Sequence, residues 1–185
     1  MSLDALREAL PSYAKDISLN LSTLAGETTL SDHQKWGTFL ACAYAVGEPR
    51  TVRAIDAEAS KHLTPEGRDA AKAAAAIMGM NNVYYRALHL MHNQEYRTLP
   101  AKLRMNVLGN PGAPKVDFEL WSMAVSTING CGACMDAHEA ELRKHDVTNV
   151  QVQAAMRIAA VVNAASRILA AENAFAAEGE TAAWA

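Results

Sequence analysis

Apolar side chains recur at intervals of three and four residues along most of this chain, which is the period of an amphipathic α-helix. Leu3, Leu6 and Leu10 open the first such segment, and Pro11 ends it. The same reasoning predicts further helices over residues 12–24, from Ser31 to about residue 46, and over 51–62, 66–90, 115–128, 132–145 and 148–177. The pattern therefore predicts an all-α, multi-helical protein.

Breaks between these segments divide the chain. The strongest is the run Gly109–Pro114, which contains two prolines and two glycines. We expect one domain over 1–185, with an N-terminal helical half at 1–109 and a second helical half at 115–177. AEASKHLT, ending at Thr64, resembles AELRKHDVT, ending at Thr148, about 84 residues further on. This echo suggests two related halves, although chance matching in alanine-rich sequence explains it equally well.

Composition supports helices and excludes several classes of protein. Hydrophobic residues make up 50% and charged residues 20%, which is typical of a folded globular chain and not of a disordered one. Alanine, which loses no side-chain entropy in a helix, is abundant. A net charge of -3 and a pI near 6.1 argue against a nucleic-acid partner.

Targeting signals and membrane spans are not predicted. The N-terminus lacks a basic start followed by an apolar run. The apolar tract at 154–177 contains Arg157, Asn163, Arg167 and Glu172, so a buried or half-buried helix is favoured over a bilayer span. Three cysteines without a signal peptide do not form a secreted disulfide framework. We therefore expect a cytoplasmic protein with no membrane partner.

The segment with the clearest chemistry is a CxxC motif, Cys131 to Cys134, at the predicted start of a helix. Three-residue spacing brings the sulfurs together, and the positive end of the helix dipole favours thiolate over thiol. His138 follows Cys134 by one helical turn and can accept its proton. This geometry favours Cys134 as the attacking residue, with Cys131 resolving the oxidised sulfur.

Other functions compete for the same residues. Haem attachment requires CxxCH, and Met135 stands where that histidine would be. A zinc ion could take Cys131, Cys134 and His138 with a distant ligand such as Glu119, but no second clear ligand pair is present. A thioredoxin fold needs strands around its CxxC. Two buried structural thiols remain an alternative, which His138 makes less favourable.

Glu119 precedes the CxxC motif by about three helical turns on a segment whose other side is apolar. A carboxylate in such a position is more often solvated on the outer face. If it points inward, it can pair with His138, raise the basicity of the imidazole and pass protons onward. The pattern alone leaves both orientations open.

The remaining candidates are interpreted as structural. Cys42 has the surroundings of a small core residue. Four histidines lack a partner at catalytic spacing and are predicted to be surface or capping residues: His33, His62, His89 and His92. The segment Met78–Asn82 is interpreted as helix packing rather than as a cofactor site. Neither a phosphate-binding loop nor a dinucleotide-binding fingerprint occurs in the sequence.

Several segments together resemble the AhpD family of alkyl hydroperoxidases, in the carboxymuconolactone decarboxylase-like superfamily. The resemblance covers nearly the whole chain. Its segments are Leu10-Pro11, Tyr13–Asp16, Leu19–Leu21, Trp36–Thr38, Ala76–Val83, Asn110–Gly112, Phe118–Ser122, Asn129–Cys134, Ala137–Glu139 and Leu142-Arg143. A CxxC motif followed by histidine marks only the superfamily, whereas the full-length match indicates the AhpD family.

The resemblance implies an antioxidant, all-helical peroxidase that reduces organic hydroperoxides. Cys134 would attack the hydroperoxide, Cys131 would resolve the sulfenic acid to a disulfide, and Glu119 and His138 would relay protons. Electrons would come from the lipoyl group of a dehydrogenase component, with no tightly bound cofactor. The resemblance further implies reduction of the peroxiredoxin AhpC through a transient disulfide at Cys134, and assembly as a homotrimer.

One position departs from the family pattern. Family members often have histidine immediately before the second cysteine, where this chain has Ala133. That histidine is associated with the proton relay, so we expect activity that is reduced but not lost. Two alternatives remain: a thiol–disulfide carrier that mainly serves a peroxiredoxin, and a lactone decarboxylase-like enzyme, which would have no need of two thiols.

Overall fold

A computed structural model describes the backbone of residues 1–182 and the side chains of residues 1–176. Over this range the chain forms α-helices joined by short loops, and no β-strand occurs in it. The all-α prediction is therefore confirmed. The last three residues of the predicted 1–185 domain lie outside the described residues.

The helices match most of the predicted segments. In chain order they are α1 (Leu3–Glu8), α2 (Lys15–Ala25), α3 (Asp32–Val46), α4 (Pro49–Ala59), α5 (Pro65–Leu90), α6 (Lys115–Asn129), α7 (Gly132–Lys144) and α8 (Asn149–Ala182). Single turns of 3-10 helix occur at Ser12–Ala14, Gln94–Arg97 and Asn106–Leu108. The last two lie in the long connection that joins α5 to α6.

Local side-chain chemistry sets where these helices begin. Ser31 caps α3 in a reciprocal capping box with Gln34, and Thr64 caps α5 ahead of Pro65. The prediction for α4 is wrong at both ends, since α4 runs over Pro49–Ala59 rather than 51–62. Glu48 accepts a hydrogen bond from the Thr51 amide, so the helix begins two residues earlier than the proline suggested.

The helices α3–α4–α5 are followed by a second set of the same order, α6–α7–α8, in which each helix begins 83 or 84 residues after its counterpart. The turn after α3 and the turn after α6 each contain a glycine in the left-handed region, Gly47 at φ 81° and Gly130 at φ 65°. The two sets interlock, because α5 packs on α6 and α8 packs on α3.

The contact between α3 and α6 joins the two sets at the centre of the core. The Trp121 indole lies directly against Gly37, where a Cβ atom would overlap the ring. Its Nε1 donates to the carbonyl oxygen of Gln34, and His33 pairs with Asp117 across the same contact at 2.7 Å. This close approach requires glycine at residue 37.

Helix α8 is the only helix in the described residues with the length and hydropathy of a membrane span, over Asn149–Ala176. In this structure it is a core helix that packs against α2, α3, α4 and α6. Ile158, Val162 and Leu169 are fully buried along its inner face. The prediction of a buried or half-buried helix is confirmed.

Candidate active site

The CxxC motif lies where α6 turns into α7. Gly130 ends α6 in the left-handed conformation, and the next residue, Cys131, donates its amide hydrogen to Ser126 O. Cys131 is the N-cap of α7, and its carbonyl oxygen accepts from the amides of Cys134 and Met135. The turn thus holds both cysteines on the first turn of one helix.

The two sulfurs form a disulfide, with Cα atoms 5.3 Å apart. The two cysteines differ in access: Cys131 is completely buried, while Cys134 is 7% exposed and borders a cavity of about 220 Å³. A molecule in this cavity therefore meets the sulfur of Cys134 first. That Cys134 is the attacking residue stays a prediction, and its place on the cavity is the one that this role requires.

The start of α7 suits a thiolate. The N-cap, Cys131, makes no side-chain hydrogen bond to the amides of the first turn. The positive end of the helix dipole is therefore not offset by a capping oxygen, and Cys134 lies on that turn. This environment favours the deprotonated form of Cys134 once the disulfide is reduced.

Glu119 points inward and meets His138, which is the second of the two orientations that the sequence left open. Its Oε2 lies 2.7 Å from His138 Nδ1, and both side chains are largely buried. A carboxylate at this distance accepts the Nδ1 hydrogen and so fixes the tautomer, leaving Nε2 to face the cavity. His138 Nε2 lies 3.3 Å from the sulfur of Met78.

The cavity is mostly apolar. Ala133 and Ala137 contribute to its α7 side together with Cys134 and His138, and Leu108 closes it from the 3-10 turn before α6. Ala133 supplies no hydrogen-bonding side chain. Apart from Cys134, His138 is therefore the only titratable group that α7 contributes to the cavity.

Helix α5 forms the opposite wall, and the sequence reasoning missed it. The lining residues on α5 are Met78, Asn81, Tyr85 and His89. The prediction that Met78–Asn82 serves helix packing is confirmed for Met78, which lies in the hydrophobic core, and for Asn82, which bonds to α6. Met78 and Asn81 also line the cavity, which the sequence reasoning did not anticipate. Spacings of three and four along α5 place the four lining residues on one face, but only the fold shows what that face meets.

The remaining candidates are distributed as follows. Cys42 is buried in the core as predicted, and burial raises the pKa of its thiol. His89 is exposed as predicted, yet its ring also borders the cavity. Residues 1–176 contain no group of three or more His, Cys, Asp or Glu side chains that could hold a metal ion.

Comparisons with known proteins show which family this chain belongs to. The model of the carboxymuconolactone decarboxylase family matches residues 94–177. The alkyl hydroperoxide reductase AhpD of Hyphomonas neptunium is 67% identical over 178 residues, covering 96% of this chain and 99% of that protein. AhpD of Maricaulis maris is 68% identical over 94% of this chain and its own full length. AhpD of Streptomyces coelicolor is 55% identical over 96% of this chain, again with its full length covered. Identity at this level over whole chains shows that this protein belongs to the AhpD family.

Proposed function

We propose that this protein is an alkyl hydroperoxide reductase whose reacting atom is the sulfur of Cys134. The observation that carries the proposal is the difference in access between the two cysteines. Cys134 borders an apolar cavity, whereas Cys131 is fully buried. His138 borders the same cavity and, held by its hydrogen bond to Glu119, supplies a positioned base. Together they provide a nucleophile, a proton acceptor and an apolar space for the alkyl group.

The first step oxidises Cys134. His138 takes the proton of the Cys134 thiol, and the thiolate attacks the distal oxygen of the hydroperoxide. The O–O bond breaks with its electron pair on the proximal oxygen, which receives the proton from His138 and leaves as an alcohol. Cys134 becomes a sulfenic acid, and Glu119 stabilises the imidazolium that forms between the two proton transfers.

The second step closes the disulfide. The Cys131 thiol attacks the sulfenic sulfur of Cys134, the S–O bond breaks, and the hydroxyl leaves with the thiol proton as water. The cysteine Cα atoms are 5.3 Å apart in the disulfide form, which is within the usual range for a bridge. Because Cys131 is buried, its thiol reacts with Cys134 rather than with an oxidant from solvent.

Reduction returns the pair to two thiols. We propose that the reductant is the dithiol of a lipoyl group carried by a dehydrogenase component, with no tightly bound cofactor. One lipoyl thiolate attacks Cys134, the sulfur that faces the cavity, and Cys131 leaves as a thiol; the second lipoyl thiol then displaces Cys134. The apolar cavity suits the hydrocarbon part of a lipoyl arm.

Exchange with the peroxiredoxin AhpC would follow the same route, through a transient disulfide at Cys134. The buried position of Cys131 supports this choice of sulfur. A Cys131→Ser variant should accumulate a mixed disulfide between Cys134 and AhpC, whereas Cys134→Ser should form none. A mixed disulfide at residue 131 would reverse the assignment.

Assembly as a homotrimer in the cytoplasm completes the proposal. Exposed apolar side chains at the end of α5 and in the connection that follows offer a surface for assembly, among them Leu90, Met91 and Leu99. Sedimentation at equilibrium should give a mass near three times 19.9 kDa. A monomer mass over the whole concentration range would contradict this part of the proposal.

The direct test is a thiol titration of the reduced protein before and after one equivalent of an alkyl hydroperoxide, with mass mapping of the product. We expect the loss of two thiols and a Cys131–Cys134 link. Turnover with dihydrolipoamide follows, with and without AhpC. If both thiols survive the hydroperoxide while AhpC is still reduced, the protein is a redox carrier and not a peroxidase.

A further inference from the structure

Two neighbouring asparagines on α5 have opposite surroundings. The carboxamide of Asn82 is fully engaged: its Nδ2 donates to Ser126 Oγ at 2.9 Å, and its Oδ1 accepts from Asn129 Nδ2 at 3.0 Å. Both partners belong to α6. Asn82 therefore holds α5 against α6, and its polarity is accounted for by the fold.

Asn81 has no such partners. The residue is 5% exposed, and its Oδ1 is buried without a hydrogen bond to any described residue. Because a buried amide without partners costs free energy, native proteins satisfy nearly all such groups. Of the four buried side-chain atoms that lack a hydrogen bond in the described residues, only Asn81 Oδ1 belongs to a residue that lines this cavity, so a molecule in the cavity is the available partner.

The position of Asn81 in the cavity limits which part of a bound molecule it can contact. Asn81 follows Met78 by one helical turn, and the sulfur of Met78 lies 3.3 Å from His138 Nε2. Asn81 shares the cavity with Cys134 and His138. The other polar wall residues, Tyr85 and His89, lie further along α5, and His89 Nδ1 is already bonded to Tyr85 O.

The chemistry of a carboxamide fits a hydroperoxide group. A group R–O–O–H has one hydrogen to donate and two oxygens that accept, and a carboxamide offers one acceptor oxygen beside two N–H donors. Asn81 is the only carboxamide among the described residues that line the cavity. An alkyl chain, in contrast, needs only the apolar wall formed by residues such as Leu108 and Ala137.

We infer, resting on the proposed function, that the Asn81 carboxamide binds the hydroperoxide group itself. Its oxygen accepts the O–H of the distal oxygen, and its N–H donates to the proximal oxygen. When the Cys134 thiolate bonds to the distal oxygen, the hydrogen stays on that oxygen as the sulfenic O–H. The electron pair of the broken O–O bond goes to the proximal oxygen, where the Asn81 N–H stabilises the charge until His138 returns the proton.

The test uses Asn81→Leu, which keeps the size of the side chain and removes its polarity. The rate constant for oxidation of Cys134 in the reduced full-length protein should fall by about 10- to 100-fold, and by the same factor for hydrogen peroxide and cumene hydroperoxide. Alkylation of Cys134 by iodoacetamide, which presents no hydroperoxide group, should keep its rate. The thermal midpoint should stay level or rise, because an unsatisfied amide is removed.

Asn82→Leu is the matched control on the adjacent residue. It leaves Ser126 and Asn129 without partners, so it should lower the thermal midpoint. Asn81→Ala provides a second variant with a smaller side chain, for which the same loss of oxidation rate is expected.

Three results decide the matter. Unchanged oxidation by hydroperoxides in both Asn81 variants would overturn the inference. Equal losses in oxidation and alkylation would also overturn it, because they would show a damaged site rather than a lost ligand contact. If the wild-type protein itself does not react with any hydroperoxide, the proposed function fails first and this inference fails with it.

Discussion

Helices α4 and α7 begin with a similar backbone conformation, but the side chains at the two starts have different chemistry. Each follows a left-handed glycine and an N-cap residue whose side chain reaches the third helical position. In α4 the N-cap is Glu48, which accepts from the amide and hydroxyl of Thr51 at 2.6 and 2.8 Å. In α7 the same two positions hold Cys131 and Cys134, joined as a disulfide.

This difference shows how a structural cap can become a redox site. A carboxylate at the N-cap occupies the free amides and neutralises the positive end of its helix, which stabilises the fold. Two cysteines at the same spacing bond to each other and leave those amides to act on a thiolate. The spacing that suits a helix cap is also the spacing that suits a reversible disulfide.

The largest effect is expected at the third helical position. Cys134→Ser should abolish hydroperoxide turnover, because no other residue that borders the cavity is a thiol. Thr51→Ser, at the corresponding position of α4, keeps the hydroxyl that donates to Glu48 and should leave turnover unchanged. Steady-state peroxide consumption measures the turnover of both variants. Residual turnover in Cys134→Ser would contradict the assignment of Cys134 as the nucleophile.

The histidine–carboxylate pairs offer the next contrast. His138–Glu119 and His33–Asp117 have the same 2.7 Å separation, but of the two histidines only His138 borders the cavity. His138→Gln should slow oxidation of Cys134 by about 10²- to 10⁴-fold, as expected for loss of a positioned base. His33→Gln should leave that rate unchanged, as measured by stopped-flow reaction with one equivalent of hydroperoxide.

Glu119→Gln refines this contrast. Since Glu119 acts through His138, the double variant with His138→Gln should be hardly slower than His138→Gln alone. Fully additive losses would show that the two side chains act independently.

Glu48 should affect stability rather than catalysis. Glu48→Ala removes an N-cap and leaves Arg50 without its carboxylate, so we expect a loss of about 2 kcal/mol in the free energy of unfolding and unchanged turnover at pH 7. Denaturation by urea measures the loss. If the Glu48→Ala variant is fully folded and its peroxide turnover nevertheless falls, the start of α4 is not purely structural and its contrast with the start of α7 fails.

The pH dependence of Glu48 has a definite sign. Burial raises the pKa of Glu48, but hydrogen bonds from Thr51 and Arg50 outweigh it, and the net pKa lies below its ordinary value of 4.5. The carboxylate therefore stabilises the fold above about pH 4.5, and this contribution is lost as the pH falls through the lowered pKa. Glu48→Gln should show a weaker loss of stability below pH 4.5 than the wild-type protein.

The smallest effect is expected at the two glycines. Gly47→Ala and Gly130→Ala should each lower the free energy of unfolding by about 1 kcal/mol, because alanine is strained at positive φ. No atom lies within 4 Å of the added Cβ in either case, so the cost is conformational. Only Gly130→Ala should also alter the rate of disulfide closure, since Cys131 follows it directly.

Sequence reasoning predicted the helices well because their signals are local. The capping box at Ser31 and the Thr64-Pro65 start need only neighbouring residues. It failed at α4 because Glu48 is an uncommon N-cap, and the preceding Gly47 and following Pro49 indicated a break.

The candidate site was predictable only in part. The CxxC motif and His138 lie on one helix, so their spacing is sufficient. The inward orientation of Glu119 depends on how α6 packs against α7, and the roles of Met78 and Asn81 depend on a helix about 50 residues away in sequence. Side chains that meet only through packing leave no local signal.

Cys42 gives the protein an internal reporter of unfolding. Its thiol is fully buried with a raised pKa, so it reacts with alkylating reagents only when the core opens. In the disulfide form it is also the one free thiol of the chain. The labelling rate of oxidised protein therefore measures global opening without any added probe, and a comparison with the reduced protein would show how much the Cys131–Cys134 bond slows that opening.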